Sequence, residues 1–375
     1  MSAATDGAML VTVACIAYNH EKTIAEALDS FVSQRADFPF QVLVGDDCST
    51  DGTAEIVREY AERYPDIVKP VIREQNLGAQ RNLIDLCSRA GSTYIAFCEG
   101  DDYWTDPLKL QKQVDYMEAH PELRSCFHDV RVSVETDDGT WIIAEDFSHT
   151  PDGVPRWPSG NRDFKVKESY RLADFVNFGL VHTSSMFFRW DYDLEIPEWY
   201  YGHLIGDYTI WALQLGQGEC GYLPDCMSVY RIWSGGVYQY KSRYELWDAT
   251  KADWLSIDRD MFAYFTEQVP DNAIAAEVLK RMNMDMRELM RAKFMLHTAG
   301  EVVEAVRENA DIAKAVFGLD MDDFAGSDGG DAALMRRLQT VFEIRASEAK
   351  VSPALAGVTW FTKKSLARAK RKLGK

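Results

Sequence analysis

The chain has no CxxC pair among its seven cysteines. A paired-cysteine metal knuckle or dithiol redox centre is therefore not on offer. Cys15, Cys48, Cys87, Cys98, Cys126, Cys220 and Cys226 are scattered, several inside apolar runs, and read as free thiols of a reducing compartment. No apolar run is long enough to span a bilayer. Residues 1–8 lack the basic and apolar segments of a signal peptide. The expected location is the cytoplasm. Basic charge is also scarce: 41 Lys and Arg face 59 Asp and Glu, for a net charge of −18. That argues against generic binding to a nucleic-acid backbone. No GxGxxG follows the first apolar run, and there is no GKS or GKT. This argues against the usual dinucleotide and P-loop sites.

What is present is strand-helix alternation. At 375 residues the chain can bury one large core and a smaller second unit. Residues 10–18 are apolar and β-branched, as a central parallel strand is. Ile24, Leu28, Phe31 and Val32 recur at helical spacing. Residues 40–44, 68–72 and 94–98 read as further strands, with helices between them, and Pro70 suits an edge. Short connections imply a parallel sheet covered by helices on both faces. In such sheets ligands bind beyond the C-terminal strand ends. Tyr18, Asp46, Asp47, Glu99, Asp101 and Asp102 all fall at or near such ends. Three carboxylates within residues 99–102 are unfavourable unless something compensates them. A bound Mg²⁺ or Mn²⁺ would do so. A solvated loop or a helix cap is the plainer reading, and Asp106-Pro107 does look like a helix start.

Further on, residues 107–117 read as a helix, 126–143 as strands, and 148–163 as a polar loop. Residues 172–178 suit a short helix and 181–188 a strand with His182, Thr183 and Ser184 near its start. Asp207 precedes the helical run 208–215, where it reads as an N-cap or as a functional acid. Residues 221–223 and 227–231 resemble two short strands around Pro224. Beyond residue 240, four helical stretches follow (245–262, 275–296, 302–316 and 332–344), an all-helical unit. Met284, Met286, Met290 and Met295 suit its core. Residues 363–375 are strongly basic. They read as a solvated tail, or as a dock for an anionic membrane face or a membrane-bound partner. Trp360 and Phe361 would be its anchors.

Ala17-Tyr18-Asn19, then residues 44–53, then Asn76-Leu77-Gly78 with Arg81-Asn82, and finally Glu99-Gly100-Asp101-Asp102 form an ordered set. That set resembles the family 2 glycosyltransferases, inverting enzymes of the GT-A fold. Residues 100–110, Gly206-Asp207, residues 227–231 and Ser234-Gly235-Gly236 are similar to the branch that builds bacterial surface polysaccharides. The resemblance covers about residues 9–240. It implies a flexible N-terminus (1–8), a GT-A domain (9–240) with a nucleotide-binding half (9–105) and an acceptor-side half (106–240), a helical region (241–362) and the basic tail (363–375). It implies an α/β fold with a mostly parallel, Rossmann-like central sheet.

By the same resemblance, a sugar passes from a nucleoside-diphosphate sugar, with UDP favoured, to a saccharide or lipid-linked glycan. Asp47 would bond the base, with Tyr18 beside it and Asp46 in the same pocket, while Asp51 holds the loop or caps the next helix. Arg81 would hold the phosphate or ribose region; a surface salt bridge is its other reading. Asp101 would ligate Mn²⁺ or Mg²⁺, Glu99 would contact ribose or metal, and Asp102 would support them. Asp207 matches the catalytic base, ahead of Glu195 and Glu198. Arg231 would contact the diphosphate from a closing loop, or serve in a structural ion pair. Relatives often carry a His where Trp233 stands. The metal then lacks a protein nitrogen, or His203 or His182 approaches from elsewhere, or Trp233 stacks on a sugar. The QxxRW element and membrane helices of processive synthases are missing, which suits a single-sugar transferase docked at most peripherally at the inner membrane face. The helical region would pack, oligomerise or dock. A sugar nucleotidyltransferase and a silent glycan- or nucleotide-binding protein remain as alternatives.

Overall fold

A computed structural model describes residues 9–136, 138–143, 166–175, 181–190, 195–203, 205–216, 218–234, 243–268, 272–297, 299–324 and 330–341. The loop expected at 148–163, the tail at 363–375, Trp360 and Phe361 lie outside them. The chain divides into two compact units, Met1–Gly236 and Val237–Lys375.

The first unit is built on β1 (Val11–Ala17). Six of its seven residues are buried, because it lies inside the sheet with helices above and below. It pairs in parallel with β2 (Phe40–Asp46) and β4 (Tyr94–Phe97). β3 (Val68–Ile72) pairs in parallel with β2 at the sheet edge. Pro70 is tolerated there because an edge strand needs fewer ladder donors. Helices α1 (Ile24–Val32), α2 (Thr53–Arg63) and α3 (Ala79–Arg89) connect these strands. Ile24, Ala27, Leu28 and Phe31 of α1 are all fully buried, which is the spacing of one helix face.

The second half of this unit completes a nine-stranded sheet. Its elements are β5 (Tyr103–Trp104), α4 (Lys109–Ala119), β6 (Leu123–Glu135), β7 (Trp141–Ile143), α5 (Leu172–Phe175), β8 (Phe187–Arg189), α6 (Gly206–Leu215) and β9 (Glu219–Ile232). The order is β3-β2-β1-β4-β8-β6-β9-β5, with β7 on β6. β8 is antiparallel to β4 and to β6, β9 is parallel to β6, and β5 is antiparallel to β9. The sheet is therefore parallel in its first half and mixed beyond β4. The strand order reverses beside β1, between β2 and β4. That is where an open α/β sheet leaves a crevice for ligands.

Several sequence expectations need correcting. Residues 181–188 are not one strand: Thr183–Ser185 form a 3-10 turn before β8. The two strands expected around Pro224 are one strand, β9, because the register slips opposite His128 and Asp129 and takes Pro224 and Asp225 into a bulge. β5 went unseen because two residues carry no periodicity. In the second unit, α7 (Arg243–Ala263) runs into a π turn, and α8 (Asn272–Leu296) follows. The helix expected over 302–316 is two helices, α9 (Ala299–Glu308) and α10 (Ala310–Phe317), split at Asn309. The last is α11 (Gly330–Val341). Met286 and Met290 are fully buried, while Met284 is exposed; the side chain of Met295 lies outside the described set. No helix among the described residues is long and apolar enough to cross a membrane.

Candidate active site

Two left-handed residues shape the crevice. Asn19 (φ 57°) ends β1 and Cys48 (φ 65°) follows β2. The Asn19 amide donates to Ser49 Oγ (2.9 Å), and its side-chain oxygen accepts the Thr50 amide (2.8 Å). Asp51 accepts the amides of Thr53 (3.0 Å) and Glu21 (3.1 Å), so it holds this loop. Side-chain bonds of this kind fix a backbone that has left its ladder. Tyr18 emerges beside them with about half its surface exposed (46%).

Asp46 and Asp47 are both buried. Asp47 spans the turn at residues 76–78: its two oxygens accept the amides of Leu77 (2.8 Å) and Gly78 (2.9 Å). Asp46 Oδ2 accepts the Ser49 amide (3.3 Å), while Oδ1 is buried with no partner among the described residues. Such an oxygen is costly to leave unmatched. Arg81 pairs with Glu198 (3.1 Å) and lies 4.4 Å over the Tyr201 ring. Its pair is well exposed.

The acidic end of β4 is held from two sides. The amide of Arg231 donates to Asp102 Oδ1 (2.8 Å), and its guanidinium donates to the Asp101 carbonyl (2.9 Å) and to Glu26. Arg231 belongs to β9 and is buried; it does not stand on a loop. Its ion pair with Glu26 is the structural role foreseen as one of two readings. Asp102 is fully buried. Burial and the Asp101 charge push its carboxyl up, against Arg231 and the Ser184 hydroxyl. Asp101 is 16% exposed and accepts the Trp233 indole N–H at Oδ2 (3.0 Å). Glu99 is raised well above the usual carboxylate range by burial, then by Asp101, Asp207 and Asp102. No donor among the described residues reaches its carboxylate.

Asp207 is the second residue of α6, not its N-cap, which is Ile205. Its Oδ1 accepts the Tyr208 amide (2.7 Å) and its Oδ2 the Thr183 hydroxyl (3.4 Å). Burial raises its pKa. Its field is one of those felt by Glu99, so residues more than a hundred positions apart share one electrostatic site. Glu195 is exposed, and Glu198 is taken up by Arg81.

One residue went unnoticed. His20 follows the loop at Asn19, and its Nε2 lies 3.9 Å from Asp101 Oδ2. The Tyr18-Asn19-His20 run at a strand end was the available signal. No group of three or more His, Cys, Asp or Glu among the described residues is arranged to hold a metal ion. The hard oxygens of Asp101 and Glu99 still suit a divalent cation that fills its shell with phosphate oxygens and water.

Residues 12–191 match the family described as Glycosyl transferase family 2. An uncharacterized protein of Mycobacterium tuberculosis is 39% identical over 250 residues, 64% of each chain. The match thus spans somewhat less than two thirds of that relative. The putative teichuronic acid biosynthesis glycosyltransferase TuaG of Bacillus subtilis is 26% identical over 248 residues, 66% of this chain and 86% of its own length. The crystal structure of S. aureus TarS in complex with UDP-GlcNAc superposes with a TM-score of 0.55 at 17% identity, covering 95% of this chain and 92% of that one; this likeness speaks for the GT-A fold alone. With its motif order, its sheet and these relatives, residues 12–191 form a glycosyl transferase family 2 domain.

Proposed function

We propose that this protein is an inverting, metal-dependent glycosyltransferase that moves a sugar from a nucleoside-diphosphate sugar, most readily a UDP-sugar, to a hydroxyl of a saccharide or lipid-linked glycan. What supports the reading is the placement of Asp207 at the start of α6, held by the Tyr208 amide and the Thr183 hydroxyl, within the field of the acidic end of β4. A general base and a diphosphate station must face each other across the reacting carbon. The name of TuaG supports an acceptor in bacterial surface-polymer biosynthesis.

Tyr18 offers a ring face to the base of the nucleotide. Asp46 and Asp47, at the end of β2, would share that pocket; Asp47 orders the 76–78 turn with the same carboxylate that would accept the base N–H. Asp101 and Glu99 would hold Mn²⁺ or Mg²⁺, with Asp102 fixed behind them by Arg231. When bound, that cation neutralises the diphosphate and stabilises charge on the leaving nucleotide. Arg81 is available to phosphate or ribose, because an exposed pair such as that with Glu198 holds it by only about 1 kcal/mol or less. Asp207 takes the proton of the acceptor hydroxyl as that oxygen attacks the anomeric carbon and the bond to the diphosphate breaks. Its raised pKa makes it a stronger base, provided the working pH keeps it ionised. Inversion follows from this single displacement.

Asp207→Asn should lower release of nucleoside diphosphate about 10²- to 10⁴-fold and leave donor binding intact. Turnover kept in that variant would remove Asp207 from the base role. Release of pyrophosphate in place of nucleoside diphosphate would mark a nucleotidyltransferase.

A further inference from the structure

We propose that His20 is the imidazole this site offers to its divalent cation, paired with Asp101; the inference rests on the donor-binding reading above. His20 is not a loosely held loop residue. Its amide donates to Thr53 Oγ1 (2.8 Å), and its carbonyl accepts the amides of Thr23 (3.0 Å) and Ile24 (2.9 Å) at the start of α1. The loop before it is pinned through Asn19 to Ser49 and Thr50.

The ring has its own seat. A Cβ on Gly100 would stand 2.9 Å from His20 Nδ1, 2.7 Å from Ile24 Cδ1 and 3.2 Å from Ala17 Cβ. Glycine between Glu99 and Asp101 therefore makes the room in which the imidazole packs against the strand end. Trp233 closes the other side, edge-on to the ring at 6.1 Å and 67°. Nδ1 is buried there with no hydrogen-bond partner among the described residues. The nitrogen left for a ligand is Nε2, and it faces Asp101.

The contact with Asp101 has the spacing of two groups that share a third. At 3.9 Å, Nε2 and Oδ2 are too far apart to bond each other. Oδ2 already takes the Trp233 indole N–H at 3.0 Å, which fixes the carboxylate's orientation. Oriented ligands of this kind bind metal more tightly. One imidazole and one or two carboxylates leave several positions for diphosphate oxygens and water, as a nucleotide-bound ion requires. A nitrogen donor among oxygens also shifts preference from Mg²⁺ towards Mn²⁺.

The test is pulsed electron paramagnetic resonance of Mn²⁺ bound to the full chain with UDP. A ¹⁴N modulation from a directly bound imidazole nitrogen is expected, changing to the ¹⁵N pattern when histidine is ¹⁵N-labelled. His20→Gln should remove it while UDP still binds, and should weaken Mn²⁺ at least about tenfold. A Mn²⁺–UDP complex without ¹⁴N modulation, or with modulation that survives His20→Gln, overturns the proposal. Failure of Mn²⁺ and UDP to bind the unchanged protein at all is a different result; it overturns the transferase reading itself.

Discussion

Among the described residues, two clusters of acids are largely buried, and they are finished differently. In the second unit, Asp285 meets Lys251 Nζ at 2.5 Å and Arg281 Nε at 3.6 Å. Glu288 meets Lys251 at 2.7 Å, and Asp258 meets Arg281 at 3.3 Å. The Arg281 guanidinium also lies 4.1 Å over the Trp254 ring. Three acids face two bases, all on α7 and α8. In the first unit, Glu99, Asp101, Asp102 and Asp207 crowd one crevice, and the base beside them, Arg231, divides its guanidinium between a carbonyl and Glu26. The first cluster is close to neutral by itself. The second is not offset: its carboxyls are held above their usual range by burial and by one another, a cost that a protein would not retain for stability alone. A cluster whose charge is balanced from within holds helices together; one left unbalanced is a place for a cation and its ligand.

This contrast can be broken by substitution. Arg281→Met should be the most damaging single change to stability, at about 3 kcal/mol. The loss falls at the low end for a buried pair because Asp258 already holds a proton below about pH 8. Glu99→Gln should act in the opposite sense. Without divalent cations it removes like-charge repulsion, so the melting midpoint of the first unit should rise by a few degrees, about 2–4 °C for each kcal/mol regained. Thermal melts in EDTA compare the two. A lower midpoint for Glu99→Gln, or an unchanged one for Arg281→Met, would dissolve the distinction.

A smaller effect sharpens it. Burial, with Asp285 adding to it, raises Asp258 to about 8 against the pull of Arg281. The folded chain therefore keeps a proton there that the unfolded chain releases above about pH 4. Stability must fall as pH rises from about 4 to about 8 on account of this group. Urea midpoints taken across that window should be flatter for Asp258→Asn than for the parent. An equal slope in both would place the proton elsewhere.

The fold's first half was legible because β1, β2 and β4 are largely apolar runs, and two of them, β2 and β4, lead into acids. Asp46, Asp47 and residues 99–102 stood out by position alone. The rest depended on long-range geometry. His20 gains its setting from a missing Cβ on Gly100, eighty residues away. Arg231 read as the end of a strand, but the resemblance put it on a closing loop, and its ion pair with Glu26, far off in sequence, left no signal. The charge network on α7 and α8 was invisible because Arg281 and Asp285 are an i, i+4 pair, which in sequence is the pattern of a solvent-facing helix surface. The break at Asn309 carries no proline or glycine to announce it.

The central claim is that the unbalanced cluster binds a nucleotide sugar through a cation. Calorimetric titration of the protein with UDP-, GDP- and dTDP-sugars, with Mn²⁺ or with EDTA, tests it most directly. Selective binding of a nucleotide sugar that requires the metal and is lost in Asp101→Asn is expected. No binding across the panel, or binding as tight in EDTA, would contradict it.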